Sequence, residues 1–483
     1  MAGTRLAHRD TSTDVSGYSA VVTTGIYCRP GCPARPNPAN VRHFDVAAAA
    51  EVAGFRACLR CRPYRAAAPI AGVASEVVCR AIRLVVDGNL RSDSEAALAD
   101  RLGVSARHLR RLFQEQLGVT PSQLARSSRA HFARRLLDDT DLSITEIAFA
   151  SEFGSLRQFN RTLHEIFRAT PRELRGRRRV ADRLVADGGL ALRLTFAGPL
   201  DWEAMLGYLS ARAISGVEHV EAGVYRRTVT VDGDPGAIEV AMGGPDHLRL
   251  IAHLPHWGGL VHVVHQARRI FNLDFEIDRA NDLLGRDPLL GGRIASLPGL
   301  RVPGTWDPFE VGVRAIIGQQ VTVAGAGTII GRLVARHGMP VAGLGQLGLT
   351  HTFPSAEELA DADLTATGLT GARIAAIHNF ARAVAASQIC LDRSRPLDAQ
   401  VRSLVAVPGL GPWTANYLAL RMGEADAFPS ADLGLRRGVE SLTGSAATAG
   451  DVGVLAERWR PWRGHAAMHL WFSPRSHPVR AVA

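Results

Sequence analysis

The sequence predicts a multidomain α+β protein, built in series from a small four-cysteine domain, an all-α domain, an α+β unit and a second all-α domain. Three observations carry this reading. A chain of 483 residues exceeds one core, at roughly 100–200 residues per domain. Four of the six cysteines crowd between Cys28 and Cys61. The spacing of apolar residues changes along the chain from irregular to helical, then to alternating, then back to helical. With 46% hydrophobic and 21% charged residues, the composition is that of a soluble globular protein.

Residues 1–72 are rich in Pro, Gly and Cys, and so small a unit needs a staple. Cys28-x3-Cys32-x25-Cys58-x2-Cys61 forms two close pairs separated by a loop, which suits one tetrahedral Zn2+ held by four thiolates. A disulfide framework is the competing reading. It is disfavoured because the opening MAGTRLAHRDTSTD lacks the apolar core of a signal peptide. No stretch has the roughly 18 apolar residues of a membrane span, so a cytoplasmic protein without a membrane partner is expected.

Residues 73–178 carry two helix-turn-helix patterns, at 94–121 and 144–171. Leu-Gly-Val-Ser (102–105) forms the first turn, and Ser105 is placed to cap the helix that follows. GRRRVADRLVADGG (176–189) reads as a linker helix or tether, with the linker proper at 179–189. Across 190–300, β-like runs at 190–196, 223–231, 237–242 and 247–254, with a helix over 202–212, suggest an antiparallel sheet and an α+β layer. Helical segments broken by Pro and Gly fill 301–483.

Charge divides unevenly between these parts. Residues 1–180 hold 28 Arg against 17 acids, whereas 181–483 hold 28 against 29, so the formal +10 resides entirely in the first part. A basic N-terminal portion points to a polyanion, because arginines near phosphates release condensed counterions. All 56 basic residues are arginine. Schiff-base chemistry through a side-chain amine is thereby excluded, since guanidinium is a poor nucleophile.

In LVAVPGLGPWTANYLALR (404–421) a Pro-Gly-x-Gly turn separates two helix-like segments. This is a helix-hairpin-helix, whose glycines, Gly409 and Gly411, let backbone N–H groups approach a DNA phosphate. Little side-chain charge is needed for that. In the AFPSADLGLRR that follows, Asp432 falls nineteen residues after Trp413.

These residues carry three resemblances. TTGIYCRPGCPARP (23–36), NVRHF (40–44) and AGFRACLRCRP (53–63) resemble the methyl-acceptor domain of the bacterial adaptive-response (Ada) regulators, with Asp14-Val15-Ser16-Gly17 departing from the usual Asp-Gly-x-Phe at its edge. The resemblance implies that Cys28 takes a methyl group from a DNA methylphosphotriester, while Cys32, Cys58 and Cys61 share the zinc. Methylating one of four thiolates takes the site from −2 to −1. For a phosphate about 6 Å away at an effective dielectric near 20, that relieves roughly 2.8 kcal/mol of repulsion before screening.

Ile147-Ala148, Phe153-Gly154-Ser155, Phe159, Arg161 and Thr170-Pro171 resemble the AraC family. That family places each second helix in a major groove, which makes Arg107, Arg110, Arg157, Gln158 and Asn160 candidate contacts to double-stranded DNA. RNA polymerase is then an expected partner of a monomeric, nucleoid-associated activator.

Residues from about 190 onward resemble 3-methyladenine DNA glycosylase II, through DWEAMLGYLSARAISGVE (201–218), WDPFEVGVRAIIGQQVTV (306–323), the hairpin and ERWRPWRGHAAMHLW (457–471). The resemblance implies a TBP-like α+β subdomain and a helix-hairpin-helix glycosylase domain. It also implies Asp432 as catalytic carboxylate, and Trp413, Tyr417 and Trp471 around the flipped base. Gln319 and Gln320 take the place of the wedge that fills the gap in the duplex, Gln320 standing where the enteric relative has an apolar residue. A monovalent cation is a candidate ligand of the hairpin.

The chemistry is consistent with these residue types. A ring-methylated base is cationic and leaves neutral without a general acid, so one carboxylate can suffice. Indoles favour a cationic base over a neutral one. Trp413 stands where bifunctional members have their hairpin lysine, which predicts an intact abasic product. The four cysteines of the iron–sulfur members are absent from the C-terminal end, and neither Cys79 nor Cys390 has the Pro-Cys-His-Arg context of the acceptor for guanine-oxygen alkyl groups. Two other readings use the same motifs: a transcription factor with an inactive glycosylase-like half, or a glycosylase for other damaged bases. Asp432 and its aromatic set favour the alkylation enzyme.

Overall fold

The computed structural model describes residues 17–65, 74–86, 95–186 and 188–472; the Asp14–Ser16 edge and Ser94, the first residue of the 94–121 pattern, lie outside them. The cysteine-rich unit forms a four-stranded sheet in the order Val41–Phe44, Tyr18–Val21, Ile26–Cys28, Arg56–Ala57. Its first three strands are antiparallel, and the last pair is parallel, with Tyr27 opposite Ala57. Cys28 and Cys58 therefore leave the same end of neighbouring strands. The helix Ala47–Val52 packs on the sheet through Ala47 and Ala50, while Ala48 and Ala49 face the core of the helical unit that follows; all four are buried and small enough to let both neighbours sit close.

The first all-α unit contains seven helices among the described residues, from Glu76–Val86 to Pro171–Gly176. Local sequence sets the boundaries. Ser105 accepts from the His108 N–H as its helix Ala106–Leu117 begins, and Thr120/Gln123, Ser143/Glu146 and Thr170/Glu173 make reciprocal capping boxes. The long helix Pro121–Asp139 joins the two helix-turn-helix units.

The 176–189 stretch is neither a linker helix nor a free tether. After Gly176 closes the preceding helix, its described residues hold the short 3-10 turn Val180–Asp182 and are pinned to their neighbours. Arg62 donates to Asp182 at 2.6 Å, and the Leu184 N–H donates to the Asp139 carbonyl at 2.9 Å. Asp139 in turn receives Arg65 at 2.9 Å and Arg193 at 2.8 Å. The cysteine-rich unit, the long helix and the first strand of the next sheet thus share one half-buried ion network. Burying its charges is tolerable because several donors and acceptors meet.

The α+β unit is an antiparallel five-stranded sheet ordered Leu190–Thr195, His247–His253, Asp234–Gly244, Val224–Val231, Glu218–Glu221. The edge strand Glu218–Glu221 is an addition to the expected set. Glu-His-Val-Glu lacks a run of β-formers, and it pairs because buried Glu218 accepts from Tyr225 and Arg314, at 2.6 and 3.0 Å. Helices Trp202–Ser210 and Leu260–Ile270 cover one face of the sheet.

From Pro308 the chain is helical, and a separate core around Phe309, Val313, Phe380, Leu404 and Leu418 supports the hairpin. Buried Arg227 on the sheet donates to buried Glu310 at 2.7 Å, fixing the α+β unit to the helical one. No helix among the described residues is long and apolar enough to cross a membrane.

Candidate zinc centre, DNA-binding helices and base cleft

The sulfurs of Cys28, Cys32, Cys58 and Cys61 all lie within 4.8 Å of one another, and none of the six cysteines is disulfide-bonded. Zinc–sulfur bonds of ~2.3 Å in a tetrahedron put the sulfurs about 3.8 Å apart, so the four fit one Zn2+ after a small contraction. Two tight turns aim them: the Cys32 N–H donates to the Arg29 carbonyl at 3.3 Å, and the Arg62 N–H to the Cys58 carbonyl at 3.0 Å. A hydrogen bond to Cys61 and burial push the Cys28 thiol up. Receiving that hydrogen bond brings Cys61 down to about 5. Cys28 and Cys61 thus share one proton between two crowded sulfurs, an arrangement that a bound cation would relieve. Cys28 and Cys58 are buried, whereas Cys32 and Cys61 are partly open.

Next to Cys28, Tyr27 donates to Glu51 at 2.7 Å, and Glu51 meets His131 of the long DNA-domain helix at 2.6 Å. This link between the cysteine centre and the DNA-binding domain was not legible in the sequence, because its members are 24 and 80 residues apart.

In the DNA-binding unit, Arg107, Arg157 and Asn160 are exposed on the helices Ala106–Leu117 and Leu156–Phe167, free to face a groove. Two other candidates are engaged within the protein. Arg110 donates to Glu95 at 2.8 Å, and Gln158 accepts from the Gly154 N–H at 3.2 Å. These contacts orient the two side chains and leave Gln158 Nε2 and Arg110 Nη1 as donors.

In the C-terminal half, Asp432 starts the helix Leu433–Thr443 and accepts the Leu435 N–H at 3.1 Å. The same carboxylate receives Trp471 Nε1 on Oδ1 at 2.8 Å and Trp413 Nε1 on Oδ2 at 2.9 Å. Tyr417, one turn beyond Trp413 on the helix Pro412–Arg421, stacks on it at 5.4 Å and 10°, and meets Trp471 at 6.3 Å and 67°. Asp432, Trp413, Tyr417 and Trp471 thus come together as one half-buried aromatic cleft with a single carboxylate in its wall. Such a cleft can stack a flat cationic ring and stabilise positive charge beside it.

Two contributors were missed. Tyr208 places its hydroxyl 3.2 Å from that of Tyr417 and receives Arg421. Burial would push its phenol up, but Arg212 and Arg421 bring it down to about 8. Gly434 is the other: a Cβ there would fall 2.9 Å from Asp432 Oδ1 and 2.9 Å from Trp471 Cδ1. Its position two residues after Asp432 was the only available sequence signal.

Gly409 and Gly411 differ in their roles. Gly409 has φ +96°, and a side chain there would lie within 2.9 Å of the Ala376 α-carbon, so packing against the helix Gly371–Ala385 demands it. Gly411 opens the helix Pro412–Arg421 with clear space around it. Gln319 donates to Thr414 at 3.1 Å, while Gln320, exposed at φ +56°, forms the tip of the turn between two helices.

Four family models match the chain: the metal binding domain of Ada at residues 4–64, a helix-turn-helix domain at 98–177, the AlkA N-terminal domain at 191–307 and the HhH-GPD superfamily of base excision DNA repair proteins at 313–464. The chain is 41% identical over 465 residues to a Mycobacterium tuberculosis protein named as a probable bifunctional transcriptional activator/DNA repair enzyme AlkA, covering 95% of this chain and 93% of that one. It is 34% identical over 296 residues to the Escherichia coli DNA-3-methyladenine glycosylase 2, covering 60% of this chain and 99% of that one. A 3-methyladenine DNA glycosylase structure from Archaeoglobus fulgidus shares the fold, with a TM-score of 0.53 and 22% identity, over 59% of this chain and 98% of that one.

Proposed function

Because the chain belongs to the AlkA family of bifunctional transcriptional activator/DNA repair enzymes, we propose that it accepts a methyl group at Cys28 and hydrolyses alkylated bases from DNA with Asp432. The observation that carries the reading is the placement of Asp432 between two indole N–H donors in an aromatic cleft.

In the glycosylase reaction the flipped base stacks against Trp413 and Tyr417, with Trp471 at its edge. The C1′–N bond breaks, and its electron pair neutralises the cationic base as it leaves. Asp432 faces the positive charge developing on the sugar, and its orientation is fixed in advance by Leu435, Trp413 and Trp471. Water adds to C1′ and gives up its proton to the carboxylate or to solvent. No lysine is present to attack the sugar, so the product is an intact abasic site and the enzyme has no lyase activity. The substrates are ring-alkylated purines such as 3-methyladenine and 7-methylguanine.

Zinc bound by the four cysteines would hold sulfur as thiolate at neutral pH. Cys28 sulfur then attacks the methyl carbon, the C–O bond breaks, and the phosphodiester departs as an anion. The loss of one negative charge strengthens DNA binding, with Arg107, Arg157 and Asn160 as groove contacts, and RNA polymerase is recruited by the bound protein. Arg110 and Gln158 join them, oriented by Glu95 and Gly154. Gly411 offers its backbone to a DNA phosphate, and Gln320 fills the gap left by the base.

The test is to incubate the zinc-loaded full chain with methylated duplex. Mass spectrometry should find one methyl group on Cys28, and chromatography should find released methylpurines. A chain that binds one zinc yet remains unmethylated and releases no base overturns the reading. Cys28→Ser should abolish methyl uptake while leaving base release intact.

A further inference from the structure

A cavity of about 310 Å³ lies where all the units meet. Tyr18 and Tyr64 of the cysteine-rich unit, Arg135 of the long DNA-domain helix, His265 and Arg268 of the α+β unit, and Trp462 of the helical unit all line it. That volume falls at the lower end of the ~300–1,000 Å³ typical of small-molecule sites. Its walls carry six arginines against three carboxylates.

Most of these charges are satisfied within the protein. Arg268 holds Asp274 and donates to the Thr195 carbonyl at 2.8 Å. Arg393 donates to Glu424 at 3.2 Å, and Glu152 meets His262 at 2.5 Å. Arg135 is different. No carboxylate or carbonyl among the described residues accepts from its guanidinium, and its one close partner is the Phe132 ring at 5.4 Å. The acid facing it across the cavity, Asp274, is already committed to Arg268. Burial lowers Arg135 to about 10, the direction expected of an enclosed cation short of a counter-charge. His265 supplies none: burial, with Arg135 and Arg268 nearby, keeps it neutral by lowering it to about 3.

A cation lining a cavity without a hydrogen-bonded anion is unfavourable there, and a bound anion relieves it through charge-assisted hydrogen bonds. The remaining walls are apolar and aromatic, with Tyr18, Tyr64, Phe275 and Trp462 offering ring faces and edges. We propose that this cavity binds a small aromatic anion, of the size and chemistry of a nucleoside monophosphate, with its phosphate on Arg135 and its ring among the aromatic walls. The ligand would touch the cysteine-rich, DNA-binding and glycosylase units at once, so its binding favours one arrangement of the three.

Calorimetry on the zinc-loaded full chain tests this, with adenosine 5′-monophosphate as probe and adenosine as control. One monophosphate per chain should bind, and adenosine should bind at least about tenfold more weakly. Arg135→Gln should weaken the monophosphate by about tenfold or more, whereas Arg135→Lys, which keeps the charge, should retain binding within a few-fold. Base release should be unchanged in both variants, since the cavity that Arg135 lines includes none of Trp413, Tyr417, Asp432 and Trp471. Absence of monophosphate binding, equal binding of adenosine, or undiminished binding by Arg135→Gln overturns the proposal.

Discussion

Trp471 donates its indole N–H to Asp432 Oδ1 at 2.8 Å, on the same oxygen that caps the helix Leu433–Thr443 through the Leu435 N–H. One atom therefore serves both the fold and the cleft. Asparagine can still cap, because its carbonyl oxygen accepts the same N–H. Asp432→Asn should leave stability within about 1 kcal/mol of the parent while base release falls by about 10²–10³-fold. Single-turnover release from a 7-methylguanine duplex, read beside thermal melting, checks both halves.

Gly434→Ala is expected to separate stability from activity in the same way, by a different route. Alanine favours the helix by about 0.5–1 kcal/mol, yet its methyl would press on Asp432 Oδ1 and on the Trp471 ring at 2.9 Å each. The indole has to move. Base release should fall by about tenfold or more with the melting temperature held or raised; unchanged kinetics would show that the cleft tolerates a displaced Trp471.

Much of this cleft was legible through the glycosylase resemblance, which implied Trp413, Tyr417, Asp432 and Trp471 together. The zinc ligands were legible from spacing itself, as two tight pairs. What escaped were relationships between distant residues. Glu51 and His131 are 80 residues apart, Arg62 and Asp182 are 120 apart, and Tyr208 and Arg421 are 213 apart, so no local pattern announces them. Arg110 and Gln158 show the converse limit, because helix position marks a residue as groove-facing without revealing that Glu95 or Gly154 already engages it.

Asp307 gives a pH test of the helical core. It caps the helix Pro308–Ile317 through the Phe309 N–H at 2.8 Å, but burial and the Glu310 carboxylate push it up to about 6. A raised folded value means that the protonated acid is favoured in the native state. Its contribution is full below about pH 4 and is lost as pH rises through 6. Asp307→Asn, which keeps the cap, should therefore stabilise the protein by about 1–3 kcal/mol at pH 7, with the gain shrinking toward pH 4.5. Denaturant melts at the two pH values check the sign, and a gain that grows on acidification would contradict it.

The ion network around Asp182 predicts the behaviour of the 176–189 stretch. Asp182→Asn weakens the 2.6 Å contact with Arg62 and the 3.7 Å contact with Arg65. Limited trypsin digestion of the variant should cut within 176–189 several-fold faster than in the parent chain. Equal cleavage rates would mean that the Leu184–Asp139 backbone contact alone secures the segment.

The tight seat of Gly409 against Ala376 bears on how damage is searched for. A hairpin seated this closely is braced by the helix behind it, which favours a single pose of its amides. In the proposed glycosylase such a loop would meet a duplex already shaped for it, and the ordering entropy of a loose turn would not have to be met on each encounter.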